Sequence, residues 1–436
     1  LCSDGILFNP EPADSCPAAI HSRFLRKLVV PRVGGALPER SSGLEGNDQG
    51  MRIGLGLSFD DVLLIPRRNR APSRSEVDVG TMLTPRIRLA VPVVSANTPW
   101  CTEGPMATAM ARLGGIGIIH RMIAAEKQAA EVAFTKESDA DPAQFPHATV
   151  DPRGRLRVGA AVGVKGDFLH RAEQLVRSGA DFISVDVAHG HADYVLDAIV
   201  ALKRSLPDVD IIAGNVATAA GAADLIEAGA QAVKVGIGPG SVCSTRIVTG
   251  AGVPQLTAIM DCASVARPAG VPLIADGGIR TSGDIVKALA AGASTVMLGK
   301  LIAGAEESSA GVIEHSGRRY KITTGFVTLG VELTLKRLAQ QEIKPREFRN
   351  YLPEGVEATF EYAGPVSDIL VKLVQGLRSG LTYGGSTSIP ELQEKAGFVQ
   401  VTHAGSDESR PHVQDDVPAL HPNYARLFVR DGTDPQ

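Results

Sequence analysis

Several things are scarce in this sequence, and each scarcity removes a class of protein. Cysteine occurs five times in 436 residues, at positions 2, 16, 101, 243 and 262. That is too few and too irregular for a disulfide framework, and no Cys-x-x-Cys pair gives a zinc pattern, so a reducing compartment is the natural reading. No apolar run approaches the roughly 18 to 20 residues needed to span a bilayer, and the first residues show no basic, apolar and small-residue signal segment. The expectation is a soluble cytoplasmic protein with no membrane partner. An excess of one charge is also missing, because 44 basic side chains face 48 acidic ones for a net charge of −4. A broad basic field for nucleic acid is thereby excluded, and a small molecule becomes the expected partner. Aromatics are only 4% of the chain, so a core must be built from aliphatic residues.

What is present is glycine, 47 residues of it, within a composition that is 44% hydrophobic and long enough for one large core or two modest ones. Residues 1–50 are rich in Pro, Gly, Ser and Arg, lack Met and show no periodicity, which predicts a disordered leader. Met51 opens the first patterned segment, and 51–425 is expected to be a single catalytic domain followed by a short tail, 426–436. From about residue 91, short β-branched runs alternate with amphipathic stretches that end in Gly-Ala, as in SGAD (178–181), EAGAQA (227–232) and AAGAST (290–295). The candidate strands are 91–95, 116–120, 156–162, 182–188, 210–216, 232–238, 271–277 and 295–299. Eight nearly continuous apolar runs with helices between them predict a closed parallel (β/α)₈ barrel, a TIM barrel, with an open doubly wound sheet as the alternative.

Such barrels carry their chemistry at the C-terminal strand ends. The residues there are polar and Gly-rich: Asp186 and His189-Gly190 after the fourth run, Asn215 in the fifth, Gly236, Gly238, Gly240, Ser241 and Cys243 after the sixth, Asp276 and Gly278 after the seventh, Gly299 and Lys300 after the eighth. Cys243 follows three glycines and a proline, a backbone that can turn tightly and approach a ligand, so its thiol reads as a nucleophile. Cys262, within a helical pattern, reads as a buried structural cysteine. Gly-rich loops at 276–278 and 298–300 lie where many barrels hold phosphate on backbone amides, although a Gly-Gly pair is also an ordinary tight turn. His189 and His191 lack the further ligands of a metal site, and Trp100 reads equally as packing residue or stacking platform. Residues 313–362 form an excursion too long for an idle connection, either a mobile lid or a solvated helical hairpin.

Taken together, these stretches resemble the IMP dehydrogenase/GMP reductase family. The likeness runs from LSFDDVLLIP (57–66) through RLRVGAAVGV (155–164), AGNVAT (213–218), VKVGIGPGSVCSTRIVTGAGVPQLTAI (233–259) and IADGGIRTSGDI (274–285) to GRRYK (317–321) and PEGVEA (353–358). The resemblance implies that Cys243 attacks carbon 2 of a purine nucleotide 5′-monophosphate, with hydride passing to or from NAD, or NADP as the alternative, through a covalent adduct. It implies that Thr245 and Glu354 activate water or ammonia and relay protons. Ser241, Gly278, Gly299, Lys300 and Gly325 would lie on the substrate, with Asp276 on the ribose hydroxyls. Asp186, Asn215, Gly236 and Gly238 would lie on the cofactor side. Backbone carbonyls of Gly238, Gly240 and Cys243 would hold potassium, and the assembly would be a homotetramer.

The sequence also departs from that family. Only 35 residues separate His120 from Leu156, so the tandem CBS regulatory module expected there is absent. Beyond Arg319-Tyr320 of GRRYK, no Arg-Tyr dipeptide of the kind that serves as the water-activating pair of the dehydrogenase lid occurs in 324–362; Arg337 precedes Leu338, and Arg349 and Tyr351 lie close to Glu354. Thr98, Pro99, Thr323 and Phe326 stand at altered nucleotide-contact positions. Oxidation of IMP to XMP is the leading expectation, reduction of GMP to IMP with NADPH the alternative, and a non-catalytic nucleotide-binding relative the third reading.

Overall fold

The computed structural model describes residues 53–323, 353–356 and 358–409. Each of the eight runs contains a strand: β1 (Val93–Ser95), β2 (Ile116–Ile119), β3 (Gly159–Val162), β4 (Phe182–Val185), β5 (Asp210–Val216), β6 (Ala232–Val235), β7 (Leu273–Asp276) and β8 (Thr295–Leu298). Seven are shorter than the apolar run, mostly where Pro, Gly or a polar residue leaves the ladder. Neighbours pair in parallel, and β8 returns to β1 with Val296 opposite Val93 and Leu298 opposite Ser95, closing the barrel. The TIM-barrel expectation is met, and the open sheet is excluded. Helices α1 (Gly104–Arg112), α2 (Ala125–Glu137), α3 (Phe168–Arg177), α4 (Asp193–Ser205), α5 (Ala219–Glu227), α6 (Gln255–Ala266), α7 (Ser282–Ala290) and α8 (Val366–Tyr383) flank the strands in sequence. Among the described residues, no helix is long and apolar enough to cross a membrane.

The Gly-Ala signals have one shared physical meaning. Gly179, Gly229 and Gly292 have φ of +104°, +105° and +119°, just beyond the ends of α3, α5 and α7. In each case the glycine N–H and the following alanine N–H donate back to the last helical turn, as when Gly229 reaches the Ile226 carbonyl at 3.0 Å and Ala230 the Leu225 carbonyl at 3.0 Å. This left-handed closure satisfies orphan carbonyls and turns the chain into the next strand, which is why a side chain is disfavoured there.

Strand packing is equally specific. Phe182, fully buried at the start of β4, lies over Gly159 of β3, where an added Cβ would sit 2.1 Å from its ring. Phe182→Ala is expected to cost about 3–5 kcal/mol of stability, read by denaturant unfolding, because the glycine opposite offers nothing to fill the cavity. A hairpin of Thr81–Thr84 and Ile87–Leu89 buries Leu83, Ile87 and Leu89. Its Thr84 hydroxyl donates to Asp210 at 2.6 Å and its Thr81 hydroxyl to the Ser294 carbonyl at 2.8 Å. Asp210 opens β5 and Ser294 precedes β8, so the hairpin covers the N-terminal end of the barrel and leaves the other end free.

Between β2 and β3 lie α2 and a connection clamped by buried Lys136, which reaches Asp151 and Asp181 at 3.0 Å each. After β8, the described ends of the long excursion are strands: β9 (Gly311–His315), β10 (Arg318–Thr323) and β11 (Ala358–Glu361) form an antiparallel sheet. A helical hairpin is therefore the wrong reading of these ends. Ser316 and Gly317, with φ of +51° and +72°, make the tight turn that a hairpin needs. The Ser-Gly pair between β9 and β10 was the signal. Gly325, Arg337 and Tyr351 lie outside the described residues, as do the leader and the C-terminal tail.

Candidate active site

At the C-terminal end of the barrel is a pocket of about 560 Å³, within the range of small-molecule sites. Every site residue expected from the sequence, except Gly325 beyond the described residues, lines it. Cys243 is exposed in the loop after β6. Its thiol lies 3.2 Å from the Thr245 hydroxyl, which donates to Glu354 Oε2 at 2.7 Å. A proton on sulfur, or on a molecule bound beside it, is thus two hydrogen bonds from a carboxylate.

Glu354 is 109 positions from Thr245, and backbone pairing brings it back. Ser244 donates its N–H to the Glu354 carbonyl and Val356 donates to the Val242 carbonyl, both at 2.9 Å, with Cys243 opposite Gly355. Residues 354–356 therefore run antiparallel along the Cys243 loop, and the side chains of Thr245 and Glu354 meet across that pairing. Arg246 braces the same loop from beneath, donating to the Ile237 and Val253 carbonyls at 3.1 and 2.5 Å.

Gly236 has a role that its place in the motif did not disclose. With φ of +149°, a Cβ there would lie 2.0 Å from the Asp276 carbonyl oxygen, so β6 and β7 approach closely at the pocket floor only because the side chain is missing. Asp276, at the end of β7, is partly exposed into the pocket. Gly278, Ser241, Gly299 and Lys300 share the same wall system; Lys300 is exposed and has no ion-pair partner among the described residues.

Asp186 and Asn215 do reach the pocket, but their polar atoms are already engaged. Asp186 is buried and accepts from Arg121 Nε at 3.2 Å. Asn215 Nδ2 donates to the Gly236 carbonyl and to Asp276 Oδ2, each at 2.8 Å, while its Oδ1 accepts from Lys234. Sequence reasoning passed over Lys234. The signal was a lysine inside the buried apolar run AVKVG, where an unpaired charge is not tolerated. It also passed over Gln255, whose amide donates to the Val235 and Asp276 carbonyls at 2.9 and 3.2 Å and ties β6 to β7.

Other candidates fall away from the chemistry. Cys262 is buried in α6, and burial pushes its thiol up to about 12. Buried Cys101 is likewise pushed up to about 12. His191 is paired with Asp224 at 2.7 Å, and His189 sits edge-on to it. Trp100 is a packing residue, buried against Gly299 and Phe360, and it also lines the pocket.

For a monovalent cation, the donor set fits in kind. The Gly238 and Cys243 carbonyls accept no hydrogen bond among the described residues, and the Gly240 carbonyl accepts only the Cys243 N–H at 3.1 Å. Neutral carbonyl oxygens of this type replace the hydration shell of a potassium-like ion. For a flat redox ring, Val187 and Ala188 offer an apolar wall beside Asp186.

Residues 56–412 match the family model of the IMP dehydrogenase/GMP reductase domain. An inosine-5′-monophosphate dehydrogenase of Nitrosopumilus maritimus is 39% identical over 466 aligned positions, covering 82% of this chain and 98% of that protein. The alignment is longer than the chain itself, so that relative carries segments missing here. A GMP reductase of Leishmania major is 37% identical, with 82% of this chain and 96% of that protein covered. Among solved structures, a cysteine-to-alanine variant of GMP reductase from Trypanosoma brucei, in complex with guanosine 5′-monophosphate, superposes with a TM-score of 0.78 at 35% identity, covering 83% of this chain and 98% of that one.

Proposed function

The chain belongs to the IMP dehydrogenase/GMP reductase family, and from that premise we propose that it is an oxidoreductase acting at carbon 2 of a purine nucleotide 5′-monophosphate, oxidising IMP to XMP. The observation that carries this reading is the hydrogen-bonded series Cys243, Thr245, Glu354 at the mouth of the pocket. Cys243 Sγ forms a bond to carbon 2, the hydride on that carbon departs, and water then displaces the thiol, so that IMP, NAD and water become XMP, NADH and a proton. Bound nicotinamide supplies the two-electron acceptor. The protein's own residues hold the nucleotide and the protons: Thr245 and Glu354 receive the proton of the attacking water. Asp276 takes the ribose hydroxyls, and Ser241, Gly278, Gly299 and Lys300 take the phosphate. Gly325 belongs to the same substrate side by sequence.

The same reading includes potassium on the carbonyls of Gly238, Gly240 and Cys243, a homotetramer, and a lid in the excursion after β8. Asp186, Asn215, Gly236 and Gly238 shape the cofactor side, the first three through the protein contacts they already make.

GMP reduction is the second reading, and the absence of an Arg-Tyr pair from 324–362, beyond the Arg319-Tyr320 of GRRYK, favours it. There Cys243 adds to carbon 2 of GMP, ammonia leaves, and hydride from NADPH gives IMP on loss of the thiol. The deciding measurement is the absorbance of reduced nicotinamide with IMP plus NAD and with GMP plus NADPH, using Cys243→Ala as the blank. A rise with IMP is the expected result. A fall with GMP reverses the assignment, and silence in both with nucleotide binding intact replaces both with a non-catalytic binder.

A further inference from the structure

Lys234 stands in the middle of β6 with its side chain 4% exposed. An ammonium so placed needs strong partners to remain charged. Its Nζ donates to Asp276 Oδ2 at 2.9 Å and to Asn215 Oδ1, and lies 3.9 Å from Asp186 Oδ1. Burial works to neutralise it, but Asp276 and Asp186 overcome that and hold its pKa above the ordinary lysine value. One buried cation is therefore shared between carboxylates from β7 and from the end of β4.

The geometry at Asp276 is asymmetric. Lys234 Nζ and Asn215 Nδ2 both donate to the same oxygen, Oδ2, at 2.9 and 2.8 Å. Oδ1 has no partner among the described residues, although Asp276 lines the pocket. Two donors on one oxygen fix the rotation of a carboxylate and leave the other oxygen as the acceptor for a ligand.

We infer that Lys234 is a positioning residue that pins Asp276 so that Oδ1 receives the hydroxyls of a ribose, making this buried lysine the source of selection for ribonucleotides over deoxyribonucleotides. The inference rests on the nucleotide reading of the pocket. A neutral residue at 234 would remove one of the two donors that fix the rotation of the Asp276 carboxylate.

The test is calorimetric binding of IMP and of its 2′-deoxy and 3′-deoxy analogues to wild type, Lys234→Met and Lys234→Arg. Wild type is expected to prefer the ribonucleotide by about tenfold for each hydroxyl that Asp276 accepts. Lys234→Met is expected to lose most of that ratio by weakening IMP binding far more than binding of the deoxy analogues, and Lys234→Arg, which keeps the charge, to restore it. Should Lys234→Met fail to fold, Lys234→Gln takes its place, with the same loss of ratio expected. A residue that merely fills the core would lower stability and leave the ratio unchanged, and that result overturns the inference. If wild type binds IMP but the ratio survives in the variants, the inference alone falls. If wild type binds neither IMP nor GMP, the nucleotide reading falls and this inference with it.

Discussion

Cys243→Ala is expected to lower turnover by about 10⁴-fold or more while leaving nucleotide affinity within about threefold of wild type. Cys243 carries the exposed thiol among the described cysteines, since the other two are buried, and burial keeps them protonated. Removing it deletes the covalent route entirely. Binding should survive because the sulfur is one contact among many: the Gly-rich walls, Asp276 and the phosphate-side residues all stay in place. Steady-state rates paired with titration calorimetry separate the two quantities. Turnover retained within tenfold of wild type would rule out a covalent adduct at this position.

Glu354→Gln should lower kcat by about 10²- to 10⁴-fold, the range for loss of a positioned acid or base, with a much smaller change in KM. The amide can still accept from the Thr245 hydroxyl, and the backbone pairing of 354–356 with 242–244 does not involve the side chain. What is lost is the capacity to take a proton. Because Cys243, Thr245 and Glu354 lie in series, Thr245→Val should produce a comparable loss, and the double variant should be little worse than either single one. Independent, multiplicative losses would mean that the two residues do not share one relay.

Much of the architecture was legible in the sequence, for reasons that are local. A strand buried on both faces is apolar along most of its length, so all eight barrel strands stood out. A helix that must reverse within one residue needs a left-handed position, so the Gly-Ala pairs at 179, 229 and 292 marked the joints. The site was legible in part. Cys243 and its glycines are contiguous, whereas Lys234 was hidden because strand patterns are read by what is apolar, and a single charge in AVKVG looks like noise until its partners are known. The hairpin of β9 and β10 was missed because a long polar excursion was weighed as lid or helix. The Ser316-Gly317 turn inside it was overlooked.

The sequence by itself determined the alternation of strand and helix, the positions of the turns, the Gly-rich loop that carries Cys243 and the family, because each is carried by residues adjacent in the chain. Only the tertiary structure decided which oxygen of Asp276 is bonded by Lys234 and Asn215, that polar atoms of Asn215 and Asp186 are engaged within the protein, and that Glu354 meets Thr245 across 109 positions. These relations exist only once parallel strands are in register and the barrel has closed, since closure brings β4, β5, β6 and β7 to end around one cavity. Linear order holds no record of which side chains then converge.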